Sequence, residues 1–505
     1  MDLPVFLQNE VIWIYLAVLL VSGTLIGTVV NIIYNLYFHP LAKIPGPKLA
    51  AVSNVPYSYW FLKGRQPFNI LELHLKYGPV VRVAPNEVSF NTAGSWRDIY
   101  DGRQMNKTFV KSDFYAGGNF AARGVCGILN ERQPEAHATQ RRLLSPVFSD
   151  RALTEQEGVI AQNVEEFLAK LPNRQGDFDI AAGFERLASN IMGGLAFGES
   201  LHAVGNPDPY EQVAAMADAL KLDRIINVMK RFPAVDRILR IVLHYPIKIF
   251  TADVRSNEDT TMKLIEGRIK CASPHRDFLT RLLEGRNEKR NKKKQPSALQ
   301  LAAHAHDLVI AGSDTTATAL AAITYHLLRD KSTMRTLQAE IRTAFASGDD
   351  ITGKAAKCLP YLDAVILEGL RIYPPFPLAP PRVVPAGGEV VDGCFLPGGT
   401  IVSTSPYAAS MDPANFKNPA RFLPERWLRE EPEDKLDASQ PFSLGSRSCI
   451  GKGLAMLELR LTLAKLIWRF DLNLVNESMD WHRDSHMHTL WQKPKMFVKA
   501  TDRNA

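Results

Sequence analysis

The stretch PFSLGSRSCIGKGLA, Pro441 to Ala455, sets one cysteine among glycines and serines, with Arg447 two positions before Cys449 and Lys452 three after it. A cysteine that only fills a core needs no such company. One that must remain a thiolate, while something flat lies against its backbone, needs all of it. Gly445 and Gly451 can take φ > 0 and let the backbone come close to a planar ligand. Beyond Gly453 the run LAMLELRLTLAKLIWRF has helical apolar spacing, so the cysteine stands just ahead of a helix N-terminus. The positive end of the helix dipole favours the thiolate there and lowers its pKa, and loop amides can donate to the sulfur. No histidine lies within sequence reach, which separates this thiol from the nucleophiles of hydrolases.

The pattern Phe442-x-x-Gly445-x-Arg447-x-Cys449-x-Gly451-x-x-x-Ala455 resembles the heme-binding signature of the cytochrome P450 family. That resemblance implies a mainly α fold with a small β region, and a heme b whose iron takes the Cys449 thiolate as its axial ligand. Thiolate donation through the iron favours O–O cleavage. It also implies that Phe442, Gly445 and Gly451 lie against the heme and that Arg447 neutralises a propionate.

Other motifs follow in the order the family would have them. AGSDTT, Ala311 to Thr316, interrupts the longest helical pattern with polar residues. Thr315 can bond back to the carbonyl of Ala311, and with Gly312 beside it the helix is expected to loosen or bend. Asp314 and Thr315 could then pass protons inward, a general-acid role. Glu368 and Arg371 share a helix face at i, i+3 and can pair; PERW, Pro424 to Trp427, resembles the family's PERF segment and implies that Arg426 joins them in a buried ionic cluster. His137 and Arg141 match the family's W-x-x-x-R with histidine for tryptophan, and Arg382 in LAPPRVVP matches by position; the likeness makes all three propionate ligands. It also puts Phe376, Leu378 and Ala379 beside the heme. His482, His486 and His488 lack a fourth ligand at zinc-like spacing and fall on a terminal hairpin. The glycines of FYAGGNFAARG, Phe114 to Gly124, form no phosphate loop, since no Lys-Ser/Thr follows; the segment reads as a mobile loop over the pocket or as plain surface.

Composition limits the alternatives. The chain has 505 residues, 46% of them hydrophobic and 22% charged, with 60 Lys and Arg against 53 Asp and Glu. A net charge of +7 is mild at this length, and no basic–aromatic stripe suggests a nucleic-acid binder. The five cysteines, Cys126, Cys271, Cys358, Cys394 and Cys449, form neither a disulfide framework nor a zinc spacing and fit a reducing compartment.

Val11 to Ile33 contains no charged side chain and as a helix is long enough to cross a bilayer. The expected organisation is a short lumenal N-terminus (1–10), a transmembrane helix (11–33), a Pro-rich connector (34–49) that holds the body at a fixed tilt, and a catalytic domain (50–505). Lys43, Lys48, Lys63 and Arg65 follow the span and predict a cytosolic body, so the sequons at Asn106 and Asn476 should stay unmodified. The charge run Glu284 to Gln295 reads as a solvated loop. Helical spacing predicts helices over Glu155–Leu171, Ile180–Phe197, Ala298–Arg329, Lys331–Ala346 and Leu454–Phe470. Strands are predicted over Val80–Val83, Glu87–Phe90, Glu389–Val391, Thr400–Ser403 and Met496–Ala500.

The family resemblance therefore implies a membrane-anchored heme-thiolate monooxygenase of the endoplasmic reticulum, acting on a lipophilic small molecule. Electrons would come from NADPH through a separate NADPH-cytochrome P450 reductase, as no Rossmann fingerprint is present; Arg447, Lys452 and Arg429 are candidates for its docking face. YNLYFHPLAKIPGPKLA, KSDFYAGGN and HATQRRLLSPVFSDRALTEQE are similar to filamentous-fungal members that oxidise secondary metabolites, trichothecene hydroxylases among them, which implies a terpenoid or polyketide substrate. Gly453 stands where many relatives have Asn, with no consequence expected. Three rivals remain: a heme-thiolate isomerase or dehydratase, which usually lacks the acid–Thr pair; a non-catalytic heme sensor; and a non-heme membrane enzyme.

Overall fold

A computed structural model describes residues 5–102, 108–118, 120–171, 177–198, 220–242, 244–270, 278–284 and 296–503. Cys271, the sequon at Asn106 and nearly all of the Glu284–Gln295 charge run lie outside them.

The axis of the body is the helix Ala298–Arg329, most of whose side chains are buried. It begins where the Ser297 hydroxyl accepts from the Gln300 amide at 3.1 Å, a standard N-cap. It ends at Asp330, whose carboxylate caps the next helix, Lys331–Ala344, by accepting from the amides of Ser332 and Thr333. Runs of alanine along the axial helix keep its surface low, so neighbours approach closely. The helix Ile180–Phe197 lies along it and packs closely at Gly312, where a Cβ would stand 2.5 Å from the sulfur of Met192. The helices Pro360–Ile372 and Lys452–Arg469 cover other sides of the axis, Asp150–Lys170 packs on both Ile180–Phe197 and Lys452–Arg469, and the set encloses the main apolar core.

The predicted bounds of Ile180–Phe197 and Ala298–Arg329 are the observed ones. The helix predicted from Glu155 starts earlier, at Asp150, because the Ser149 hydroxyl caps it from the Ala152 amide. The helix after the cysteine starts at Lys452.

A five-stranded sheet sits to one side, in the order β1 (Val80–Ala84), β2 (Glu87–Phe90), β8 (Ile401–Thr404), β5 (Arg382–Val383), β3 (Val110–Lys111). All its pairs are antiparallel except β2 with β8. Its register sets Arg382 opposite Lys111. Three smaller sheets pair β4 (Phe178–Asp179) with β12 (Phe497–Asp502) and β9 (Phe470–Leu474), β6 (Glu389–Val391) with β7 (Cys394–Leu396), and β10 (His486–His488) with β11 (Leu490–Gln492).

At the N-terminus one apolar helix, Val5–Ile33, runs on through a π-helical turn, Tyr34–Phe38. Residues 12–34 are exposed and the apolar segment has a mean hydropathy of 2.3, long and apolar enough to cross a membrane. The turn is where contact with the body begins. Arg82 of β1 donates to the Asn35 carbonyl at 2.8 Å and to its side-chain oxygen at 3.3 Å, and the Arg82 amide donates to the Pro45 carbonyl at 2.8 Å. Helix and Pro-rich segment are thus both tied to the same strand.

The FYAGGNFAARG segment is mostly exposed among its described residues but is held at one point. Phe120 is buried, its amide donates to Glu258 at 2.6 Å, and Arg123 pairs with the same carboxylate at 2.8 Å, which tethers the segment to the helix His244–Lys270.

Candidate active site

The cysteine loop closes on itself: the Cys449 amide donates to the Phe442 carbonyl at 2.8 Å. The tight path needs Ser443 at φ 56 and Gly445 at φ 71. At Gly445 a Cβ would also lie 2.1 Å from the Tyr100 carbonyl oxygen, so only glycine fits. Gly451 departs from expectation. Its φ is −88 as the residue preceding the helix, and a Cβ there would meet only ordinary contacts, the nearest Phe148 at 3.8 Å and the Cys449 sulfur at 4.0 Å. Phe442 faces the Lys452 ammonium at 5.6 Å from its ring centre.

In the heme-free loop, burial works against the lowering expected of a thiol at a helix N-terminus. Cys449 is open on one side, yet protein encloses the rest, and desolvation pushes the thiol up; a hydrogen bond from the Gly451 amide and the charges of Arg141 and Lys452 oppose this without outweighing it. Burial thus opposes the thiolate in the heme-free loop, while the Gly451 amide and the two cations favour it. A coordinating metal ion would ionise the sulfur, because binding deprotonates a thiol outright.

Around the loop five basic side chains converge. Arg141 donates to the Ser448 carbonyl at 2.7 Å. Arg447 donates to the carbonyls of Glu131 and Arg132 at 2.7 and 2.8 Å, so it points into the body and does not belong to an exposed docking face. Arg382 is buried between the rings of Tyr100 and Tyr115, 5.4 and 5.8 Å from their centres, with Nη1 unpartnered. Lys111, its neighbour in register, donates to the carbonyls of Leu129 and Ile128 at 2.6 and 3.2 Å. His137 is buried among them. Their mutual repulsion registers in their titration. Burial, then Arg447 and Arg382, bring Lys111 down to about 7; burial and Arg382 bring Arg447 to about 10; burial, Arg447, Lys111, Arg141 and Arg382 take His137 to about 3. Sequence reasoning missed Lys111, since only the long-range pairing of β3 with β5 brings it here.

On the axial helix the Thr315 hydroxyl donates to the Ala311 carbonyl at 2.6 Å, but the helix runs unbroken through AGSDTT. Asp314 accepts from Lys493 at 2.7 Å, a partner the sequence gave no sign of, and its other oxygen is buried and unpartnered. Leu378 and Ala379 are buried and Phe376 packs against the main core. His482, in the short helix Trp481–Asp484 ahead of the hairpin, shares a hydrogen bond with the Tyr407 hydroxyl at 3.1 Å, and His488 on the hairpin lies 2.7 Å from Arg224.

Behind the site Glu368 and Arg371, both fully buried, form a two-point pair at 2.8 Å each. Arg426 lies 3.2 Å from the Glu368 carboxylate and also bonds Asp434. The Leu423 amide and the Trp427 indole donate to Glu368 at 2.9 and 3.0 Å. Asp434 carries no motif and was not foreseen.

A mainly helical body whose cysteine loop opens a helix, beside a long axial helix with a polar AGSDTT segment and a buried Glu–Arg–Arg cluster, defines the class of cysteine-ligated heme oxygenases. The family model described as Cytochrome P450 matches residues 45–500, and the chain belongs to that family; it is a cytochrome P450 monooxygenase. It is 44% identical over 91% of its length to cytochrome P450 monooxygenase ORF11 of Penicillium roqueforti, covering 96% of that protein. It is 38% identical to cytochrome P450 monooxygenase BipB of Cochliobolus sativus, over 93% of each chain, and 36% identical to cytochrome P450 monooxygenase aclL of Aspergillus oryzae, over 95% of this chain and 97% of that one. None of these names is that of a trichothecene hydroxylase, so the finer likeness gives way to the broader one, to fungal P450 monooxygenases.

The family implies a heme-thiolate, a redox partner and hence a pair of heme propionates to be held. The residues present fit such a group: an open thiol at the mouth of a glycine-shaped loop, and five basic side chains that form no salt bridge among the described residues, one with an orphaned guanidinium nitrogen, with Asp307 and Glu131 only partly offsetting the charge of Lys111 and Arg447. A buried excess of positive charge is costly unless an anion meets it.

Proposed function

We propose that this chain is a membrane-anchored monooxygenase that inserts one oxygen atom of O2 into a lipophilic small molecule, by hydroxylation or epoxidation, in fungal secondary metabolism. The single observation that carries this reading is the convergence of Lys111, His137, Arg141, Arg382 and Arg447 around the Cys449 loop. Cys449 would ligate the iron of heme b, with Phe442, Gly445 and Gly451 against the macrocycle, and the basic residues would hold its propionates. When bound, the heme supplies the activation of O2 for transfer to the substrate. The chain's own part is to hold the sulfur, to balance the propionates, to exclude water behind the apolar residues Phe376, Leu378 and Ala379, and to deliver protons. For the last, Thr315 holds a hydroxyl at the Ala311 carbonyl and Asp314 keeps an unspent carboxylate oxygen next to it.

The domain layout fits this reading: the apolar N-terminal helix as the anchor in the endoplasmic reticulum, the body on the cytosolic side, and NADPH-cytochrome P450 reductase as the electron donor. A terpenoid or polyketide suits the fungal relatives and the lipophilic surroundings. The expected test outcome is a thiolate-type absorption band when the reduced full-length protein binds CO, abolished with all oxygenation in Cys449→Ser. A Cys449→Ser protein with native turnover overturns the reading. Products missing from a strain that lacks the chain would identify the substrate.

A further inference from the structure

Lys493 follows β11 on the terminal hairpin and is 3% exposed. An ammonium has three donors, and here all are spent: on Asp314 at 2.7 Å, on Glu185 at 2.9 Å and on the Thr318 hydroxyl at 3.1 Å. Asp314 and Thr318 are one turn apart on the axial helix; Glu185 comes from Ile180–Phe197. A staple that merely fastened the hairpin would need one carboxylate. The second carboxylate, at 35% exposure, is the most open of the three ionisable groups, against 23% for Asp314. The inner one keeps a buried oxygen with no partner, beside Thr315. Glu185 is therefore the outer carboxylate, and the buried Lys493 ties it to Asp314, the carboxylate next to Thr315.

We propose that Glu185 is the solvent-side carboxylate of a proton route into the site and that Lys493 is its positioning residue. Resting on the proton role given above to Asp314 and Thr315, the route moves one proton from solvent to Glu185 and one from Glu185 through a bridging water to Asp314, both carboxylates being partly open to solvent, while Lys493 keeps its charge. Two carboxylates on one nitrogen stay within two hydrogen-bond lengths of each other, whereas without the ammonium their like charges would drive them apart. Burial alone would draw the lysine pKa down, but Asp314 and Glu185 outweigh it and raise it, so the bridge stays charged while protons pass beside it.

The test uses the full-length heme enzyme with its reductase in membranes and O2 alone as the probe, reading hydrogen peroxide released per NADPH consumed. Glu185→Gln and Lys493→Gln are expected to raise the peroxide share about ten-fold, a small part of what general acid–base groups supply, as Asp314→Asn and Thr315→Ala also do. Lys493→Arg, which keeps the bridge charge, restores the low share. The carboxylate infrared band of Asp314 in the resting protein, isolated by its loss in Asp314→Asn, shifts in Lys493→Gln and not in Lys493→Arg. Thermal unfolding of Glu185→Gln close to the parent excludes a folding defect as the cause. If Asp314→Asn and Thr315→Ala leave the peroxide share unchanged, the proton role of that pair falls. If they raise it and Glu185→Gln does not, this route alone is overturned.

Discussion

Two charge clusters, one buried and the other buried in part, flank the cysteine loop, and they are opposites. Behind it, Glu368, Arg371, Arg426 and Asp434 balance two guanidiniums with two carboxylates, and backbone carbonyls of Ser410 and Pro419 take the remaining Arg371 donors. Beside it, Lys111, His137, Arg141, Arg382 and Arg447 lean on carbonyls and rings, and burial with mutual repulsion depresses Lys111, His137 and Arg447. The first cluster is complete as protein. The second, with only Asp307 and Glu131 acting on Lys111 and Arg447, keeps an excess of positive charge that an added anion would balance. A buried charge network that closes on itself marks a structural element, and one left open marks a binding site.

The contrast fixes the sign of two substitutions. Glu368→Gln strips the closed cluster of its shared acceptor and leaves two buried guanidiniums short of charge; the expected loss is about 3–5 kcal/mol, read from urea unfolding. Arg382→Met removes one of several mutually repelling cations. The heme-free protein is expected to be at least as stable as the parent, while heme is lost faster from the loaded enzyme, read by the decay of its absorption during competition with a heme scavenger. A large loss of heme-free stability in Arg382→Met, comparable to that of Glu368→Gln, would break the distinction.

How far each cluster was legible in the sequence follows the same division. Glu368 and Arg371 are neighbours on one helix, and Arg426 sits in a recognisable segment, so three of the four members of the closed network could be read locally. Asp434 could not, because a loop residue without a motif reaches Arg426 only through tertiary packing. Cys449, His137, Arg141, Arg382 and Arg447 were legible as motif positions, but Lys111 joins them through strand pairing between distant segments, and Lys493 reaches Asp314 from the terminal hairpin. Helix bounds such as Ile180–Phe197 follow from apolar spacing, whereas the order β1-β2-β8-β5-β3 mixes near and far strands and has no local signal.

A smaller effect sharpens the open cluster through pH. In the heme-free fold Lys111 titrates near 7 against an ordinary 10.5. Below about pH 7 both folded and unfolded chains hold that proton and the full penalty applies; above it the folded chain releases the proton first, so stability rises with pH until the unfolded lysine also titrates, near pH 10. His137, at about 3 against 6.5, adds a rise of the same sign at lower pH. Urea midpoints of the heme-free protein should therefore climb from about pH 7 to about pH 10, and Lys111→Met should flatten the climb. Bound heme should flatten it too, because propionates favour the charged lysine.

The smallest stability effect is expected where a cation belongs to neither cluster. Lys452 is exposed at the start of the helix after the cysteine, free of the desolvation that gives the buried charges their leverage. Lys452→Glu should change folding stability by no more than about 0.5 kcal/mol, as surface substitutions do. If this face receives the reductase, the same change should slow reductase-supported turnover and weaken its dependence on salt, because steering between exposed charges is screened by ions. Turnover and salt dependence both equal to the parent's would remove Lys452 from the docking surface. A stability loss of several kcal/mol would mean that this charge is not exposed in the working protein, and the line between buried and surface cations drawn here would have to move.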